Sequence, residues 1–178
     1  MTTVLTSEEF ASLFESFKES AFRLETMDRY TVPEEAEEYQ RFLSGELVPT
    51  TADSEWAQFV LNSTSQGKLI QRVHVIVLPL TPYLKYEIEW GYVYTSAAGE
   101  DIYLLDRATL SPELRELKDF WLFDDETLVV VRYDSEGRFL QGEREDSVEL
   151  VRAHIDARAR LVSQAISLRS FLAQTRSA

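Results

Sequence analysis

Residues 119–133 read DFWLFDDETLVVVRY, three acids set between two apolar runs. Phe120 and Leu122 alternate with Trp121 and Phe123, as a strand requires, and Thr127 to Tyr133 is β-branched and apolar enough to be its partner. The short acidic segment Asp124-Asp125-Glu126 is what a hairpin connection needs. Asp134-Ser135-Glu136-Gly137 makes the same kind of link to a strand over Arg138–Arg144. Upstream, Leu69 to Leu78 alternates too, with Leu69, Val73, Val75 and Val77 on one face and Ile70, Arg72, His74, Ile76 and Leu78 on the other. Asp101 to Leu105 reads as a further short strand.

Helices are expected on either side of this sheet. Thr6-Ser7-Glu8-Glu9 matches a capping box, and the stripe Phe10, Leu13, Phe14, Phe17, Ala21, Leu24 predicts one helix running to about Met27. Thr31-Val32-Pro33-Glu34 opens a second helix, ended by Gly45, whose Glu34, Glu35, Glu37 and Glu38 read as a solvated face. Residues 46–52 read as a loop, and Asp53 to Asn62, with Trp56, Phe59 and Val60, as a third helix. Pro79 ends the strand at Leu78; Thr81 and Pro82 then start a helix carrying Tyr83, Leu84, Tyr86, Glu87 and Trp90. A strand through Tyr86–Trp90 is the alternative. Leu110 to Leu117 gives a helical turn or loop. A long helix from about Asp146 to Gln174 closes the chain, with His154 as a hydrogen-bonded helix residue. The expectation is an α+β fold with N-terminal helices, an antiparallel sheet of about four or five strands with a helix after the first, and a long C-terminal helix. It is expected as a single domain over 1–178, divided into a mainly helical part (1–66), a sheet part (67–145) and the C-terminal helix (146–178).

Composition narrows the function. With 178 residues, 44% hydrophobic and 28% charged, the chain belongs with ordinary globular proteins. It has no cysteine, so disulfides, thiolate zinc sites and cysteine nucleophiles are excluded. Its N-terminus has no signal-peptide pattern and no segment nears the roughly 20 apolar residues of a membrane span, so a cytoplasmic location is expected. The net charge of −13 opposes nonspecific binding to a phosphate backbone. That charge is uneven: from Ser147 onward five arginines face only Glu149 and Asp156, a net +3, leaving −16 on residues 1–146. An acidic body suits a basic protein partner.

With six glycines and no Gly-rich loop, nucleotide cofactors drop out, and two distant histidines, His74 and His154, supply no metal spacing; no cofactor and no metal are expected. There is no serine elbow. Carboxylates remain, with Glu87, Asp101, Asp124 and Asp125 as candidates for acid, base or Mg²⁺ work, among 31 acids that make chance pairings inevitable. What stands out is aromatic and charged together: Arg72, Tyr83, Tyr86 and Glu87, with Trp121, Asp124 and Asp125 on the hairpin. Aromatics with arginine are what protein-binding hot spots use, and several of these rings equally suit a core. These seven are the expected binding residues for a basic partner. The rival reading is a toxin-like nuclease or other hydrolase using Arg72 with Glu87 or Asp124, and a third is a small-molecule sensor.

Arg72-Val73-His74-Val75, Pro79-Leu80-Thr81, Tyr83 to Glu87, Gly99 to Ile102 and above all Asp119 to Asp125 resemble an actinobacterial family of unknown function. It is the domain-of-unknown-function family six-eight-seven-nine. Leu13-Phe14, Phe22-Arg23-Leu24-Glu25 and Tyr30 extend the resemblance over nearly the whole chain. It implies a cytoplasmic bacterial protein often encoded beside XRE-type helix-turn-helix regulators, with no established activity and hence no catalytic residue to carry over. This favours a regulatory or toxin–antitoxin-like role, with a helix-turn-helix regulator as the basic partner.

Overall fold

The computed structural model describes residues 1–47 and 54–176. The hairpin forms as read: β5 (Phe120–Phe123) and β6 (Thr127–Tyr133) pair antiparallel, Phe123 opposite Thr127. Asp124 and Asp125 carry φ of 53° and 57°, and the Glu126 amide donates to the Phe123 carbonyl at 3.0 Å. That is the mirror-image turn whose twist matches the strands, and aspartate is among the few side chains that tolerate it. β7 (Phe139–Glu145) continues the meander, and β1 (Thr2–Leu5) pairs with its far edge. Gly137, at φ 78°, turns the β6–β7 link; a Cβ there would meet the Arg29 carbonyl at 2.5 Å, so only glycine lets the link lie against that segment.

The sheet is larger than expected. It has eight strands in the order β1-β7-β6-β5-β2-β3-β4-β8 and is mixed, not purely antiparallel. β2 (Ser20–Glu25), β3 (Leu69–Ile76) and β4 (Asp101–Asp106) run parallel at its centre. The largest correction falls on residues 6–27, expected as one helix. α1 keeps the capping box but spans only Ser7–Ser16, and Phe17 is already extended. All but the first residue of β2 are buried, because both faces of this central strand are covered. Phe22-Arg23-Leu24-Glu25 alternates as a strand does, but Ala21 and Leu24 also fit the helical spacing of the preceding stripe, so periodicity alone does not separate the two.

A tertiary contact fixes where the helix ends. The carboxylate of Asp124 accepts the amides of Lys18, Glu19 and Ser20 at 2.8, 2.8 and 2.9 Å, and its own amide donates to the Ser20 carbonyl. Amides that would continue α1 are thus taken by the hairpin, 104 to 106 residues away. Although burial opposes ionisation, these amides hold the Asp124 carboxyl below its ordinary value.

The closing helix is also broken. α7 (Val148–Gln164) ends at extended Ala165, β8 (Ile166–Ser167) pairs antiparallel with Tyr103 and Leu104, and α8 (Leu168–Arg176) follows. The parts expected as helical therefore give β1, β2 and β8 to the sheet. His154, as expected, bonds within its helix, Nδ1 lying 2.8 Å from the Leu150 carbonyl. The second helix begins as a 3-10 turn at Pro33–Glu35 and continues as α2 (Ala36–Leu43). The expected loop at 46–52 and the Asp53 start of the third helix fall mostly outside the described residues; α3 runs Glu55–Ser65 from a Ser54 cap. The helix expected at Pro82 is present as α4 (Pro82–Tyr86), a π turn (Glu87–Gly91) and α5 (Tyr92–Ala97), which rules out the strand alternative. α6 (Pro112–Arg115) is the expected short turn.

One sheet face, with Phe22, Leu24, Val73, Val75 and Phe120, packs on α7 through Val151, Ala157 and Leu161. On the other, Ala21, Ile70, Trp121 and Phe123 meet α1 and α3, while Ile76, Ile102 and Leu104 meet α4, the π turn and α5. Among the described residues no helix is long and apolar enough to cross a membrane.

Asp124→Asn keeps the left-handed turn but removes the charge that gathers three amides. It is expected to lower unfolding stability by about 1–3 kcal/mol in urea titrations, a charged acceptor being worth more than a neutral one. Asp125→Asn, which loses only a partly exposed ion pair with Arg158, should cost less than ~1 kcal/mol. The Asp124 contribution is present above its ordinary carboxyl value and disappears as pH falls through its depressed folded value.

Candidate functional site: a buried ionic floor under an acidic, tyrosine-walled cleft

Parallel pairing of β2 and β3 sets Arg23 beside Arg72 and Glu25 beside His74. All four point to the face that carries α3 and α5, and all are buried, His74 completely. Two neighbouring buried guanidiniums are tolerable only if compensated. Arg23 donates to Asp119 at 2.9 Å and to the Tyr133 hydroxyl at 2.8 Å. Arg72 donates through Nη1 to Glu25 and through Nε to Glu100, each at 2.8 Å. Glu100 also accepts from the Trp56 indole at 3.1 Å, tying α3 to the floor. Asp119 further accepts from the Tyr30 hydroxyl at 2.5 Å and from the Thr26 amide and hydroxyl.

Around Glu25 the network reaches the π turn. In an α-helix, residues five apart diverge by roughly 140° around the axis, but the wider π turn brings Glu87 and Tyr92 to one side. The Tyr92 hydroxyl lies 2.5 Å from His74 Nδ1, 2.8 Å from Glu25 Oε2 and 3.2 Å from Glu87 Oε2. Met27's carbonyl, 2.9 Å from His74 Nε2, can only accept, so Nε2 carries the proton donated to it. Burial opposes ionisation of Glu25, yet Arg72, then His74 and Arg23, overcome it and hold this carboxyl below the ordinary range. Glu87 goes the other way. Burial, then the charges of Glu25 and Glu35, push it well above the ordinary range, against the pull of Arg72 and the Tyr92 hydrogen bond. Two adjacent carboxyls are thereby driven apart, one ionised and one favoured as the neutral acid.

Glu25, His74 and Glu87 are the group, among the described residues, whose ligand-type atoms lie within 4.8 Å of one another. Tyr92's hydroxyl already bridges all three, and Arg72 holds Glu25 at 2.8 Å, where a metal ion would face a fixed positive charge. The cluster reads as a hydrogen-bonded hub.

Above this floor opens a cleft of about 730 Å³. Glu25, Glu34, Glu35, Glu37, Glu38 and Glu87 are its acids, Arg41 and Arg72 its bases, and Tyr30, Tyr83, Tyr86 and Tyr92 are among its rings. The glutamates expected as a solvated face are therefore partly turned inward. Glu35 and Glu38, three apart and so on one helix face, accept from the hydroxyls of Tyr83 at 3.0 Å and Tyr86 at 2.7 Å. Tyr39 and Phe42 continue that face onto Tyr83, Tyr86 and Trp90.

The expected binding set divides. Arg72, Tyr83, Tyr86 and Glu87 come together in the cleft. Trp121 lies outside it, edge-on to Phe14 at 4.9 Å and 5.6 Å from the Arg23 guanidinium, in the apolar layer under α1. Asp124 closes the α1–β2 turn, and Asp125 is paired with Arg158. These two lie at the β5–β6 turn because strand direction carries the hairpin tip away from the ends of β2 and β3 that hold Glu25 and His74. Sequence reasoning missed Arg23, Glu25 and Tyr92. The matching patterns Arg23-Leu24-Glu25 and Arg72-Val73-His74, polar residues two apart within apolar runs, were the available signal.

The chain belongs to the family described as Domain of unknown function (DUF6879), which matches residues 8–173. No curated protein matches it. Among solved structures it is similar to Nuc from Salmonella typhimurium, a phospholipase D family member (8% identity, TM-score 0.53, covering 94% of this chain and 98% of that one). It is also similar to TrmBL2, an archaeal chromatin protein (10% identity, TM-score 0.50), covering 92% of this chain and 53% of that one. At these identities the likeness is one of fold.

Arg72→Lys is expected to lower stability by about 2–4 kcal/mol, because an ammonium cannot serve two carboxylates in the fork geometry of guanidinium. Tyr92→Phe should cost about 1–3 kcal/mol by leaving buried acceptors without a shared donor. Chemical denaturation of each variant measures both.

Proposed function

We propose that this protein is a non-enzymatic interaction module whose acidic, tyrosine-walled cleft receives the basic surface of a protein partner, a helix-turn-helix regulator being the partner the resemblance favours. The observation that carries the reading is the cleft itself: six glutamates and a set of tyrosines around only two arginines. Arg72 is matched by Glu25 and Glu100, and Arg41 by Glu46. The remaining field is negative and attracts positive groups, while aromatic walls supply contact area at small entropic cost.

The alternative is a toxin-like nuclease or other hydrolase using Arg72 with Glu87. The fold shared with a phospholipase D family member is the observation on its side. Against it, a cleft lined by six glutamates repels a phosphodiester. Both nitrogens of His74 are also engaged within the floor.

The test is association with the host's purified XRE-type regulator, followed by fluorescence anisotropy. Affinity is expected to fall at least about tenfold between ~0.05 M and ~0.5 M salt as charge steering is screened. Replacing exposed Glu34 and Glu37 with glutamine should slow association in the same sense. Salt-independent binding, or cleavage of nucleic acid that Glu87→Gln abolishes, would overturn the reading.

A further inference from the structure

Of the cleft's six glutamates only Glu25 pairs with an arginine among the described residues, and the two of interest here are Glu35 and Glu87. No ion pair among the described residues includes Glu35, and Glu87 meets only His74 Nδ1, at 3.4 Å. Glu87 is 8% exposed and Glu35 half-buried, so water compensates neither fully. An independent observation points into the same space. Thr95, on α5 and lining the cleft, is 7% exposed, and its hydroxyl has no hydrogen-bond partner. A buried hydroxyl left unpaired is costly, and this one belongs to a residue that lines a space bounded by acids and rings. The floor already shows what these walls accept. The Arg72 guanidinium lies 5.3 Å from the Tyr92 ring and 5.9 Å from that of Trp56, in cation–π contact, with carboxylates at its edges.

We propose that the cleft is a receptor site for an organic cation, a guanidinium or alkylammonium group, held between Glu35 and Glu87, walled by Tyr83 and Tyr86, with Thr95 as an additional polar contact. This deepens the partner reading and rests on the same cleft. The group arrives either as a free ligand or as an arginine or lysine side chain of the partner. An ion of this kind supplies a charged partner to carboxyls that meet only neutral phenol donors, and a guanidinium also presents a flat, weakly hydrated charge to the rings.

Binding is coupled to protons. Burial pushes Glu35 up to about 7, with Glu25 and Glu38 adding to the shift and the Tyr83 hydrogen bond and Arg72 opposing it. The other charged or titratable groups of the cleft are Tyr30, Glu34, Glu37, Arg41, Tyr86, Tyr92, Tyr94 and Tyr133, with His74 against Glu87. A cation favours ionised carboxylates, so it must release the proton that Glu35 holds below that value and also the proton that Glu87 favours. Affinity therefore rises with pH, Glu35 alone supplying about tenfold between pH ~6 and ~8.

The experiment is calorimetry of the full chain with butylguanidinium, with its uncharged isostere butylurea, and with a short blocked peptide carrying two arginines. Expected are binding of the guanidinium but not the urea, proton release seen as a dependence of the heat on buffer ionisation enthalpy, and a weaker pH dependence between pH ~6 and ~8 in Glu35→Gln. Glu87→Gln should weaken binding at least about tenfold. Both variants preserve shape, and their unfolding midpoints serve as folding controls. Binding of butylguanidinium assigns a free-ligand site, and binding of the peptide alone assigns a partner's side chain. If neither binds at ~10 mM, where even a millimolar site would be filled, or if butylurea binds as well as butylguanidinium, the proposal is overturned. A regulator bound equally well by wild type, Glu35→Gln and Glu87→Gln would sink this site while leaving the partner reading intact. Butylguanidinium binding without regulator binding would do the reverse.

Discussion

Arg72 lies between Glu25 on the neighbouring strand and Glu100 at the start of β4, with both contacts at 2.8 Å and all three groups buried. The middle of a mixed sheet is ordinarily the driest part of a domain, and each charge placed there must be matched by a partner or it unfolds the region. Parallel register adds a second guanidinium, Arg23, directly beside the first. From that constraint follow Asp119 under Arg23, Trp56 donating to Glu100, and Tyr30 and Thr26 closing on Asp119. An apolar core of similar volume would be as stable or more so. The polar floor fixes instead which strands lie side by side and which helix end approaches them.

The π turn is the second device. By bringing Glu87 and Tyr92 to one side, it delivers a carboxyl and a phenol to the same two residues, Glu25 and His74. The result is a proton-sharing cluster at the base of a cleft, with Glu25 favoured ionised and Glu87 favoured neutral. The neighbouring helix α2 adds acids above it, while both guanidiniums of the floor, Arg23 and Arg72, are already matched. A negative field of this kind is what the proposed positive partner calls for.

The fold is shared with a phospholipase D family member and with an archaeal chromatin protein at 8% and 10% identity. A scaffold at that distance says little about chemistry, which resides in the site. Here the site is defined by tyrosines and glutamates from α2, α4 and the π turn, set over an ionic floor from β2 and β3.

The capping box at Thr6, the Pro82 helix start, the β5–β6–β7 meander and α7 were legible because each depends on neighbours in sequence: caps, turn residues and periodicity are local. The gathering of Arg72, Tyr83, Tyr86 and Glu87 was legible for the same reason, one strand leading directly into one helix. Residues 20–25 were not, because Ala21 and Leu24 also fit the helical spacing of α1, and only the distant carboxylate of Asp124 decides that α1 ends before them. The pairing of Arg23 with Asp119, the turn of Glu35 toward Tyr83 and the meeting of Glu25 with His74 likewise needed tertiary structure. Sequence alone determined which residues carry charge and rings and where elements start. Which charges are buried, and against what, was decided only when strands far apart in the chain came into register, since desolvation and pairing act through space.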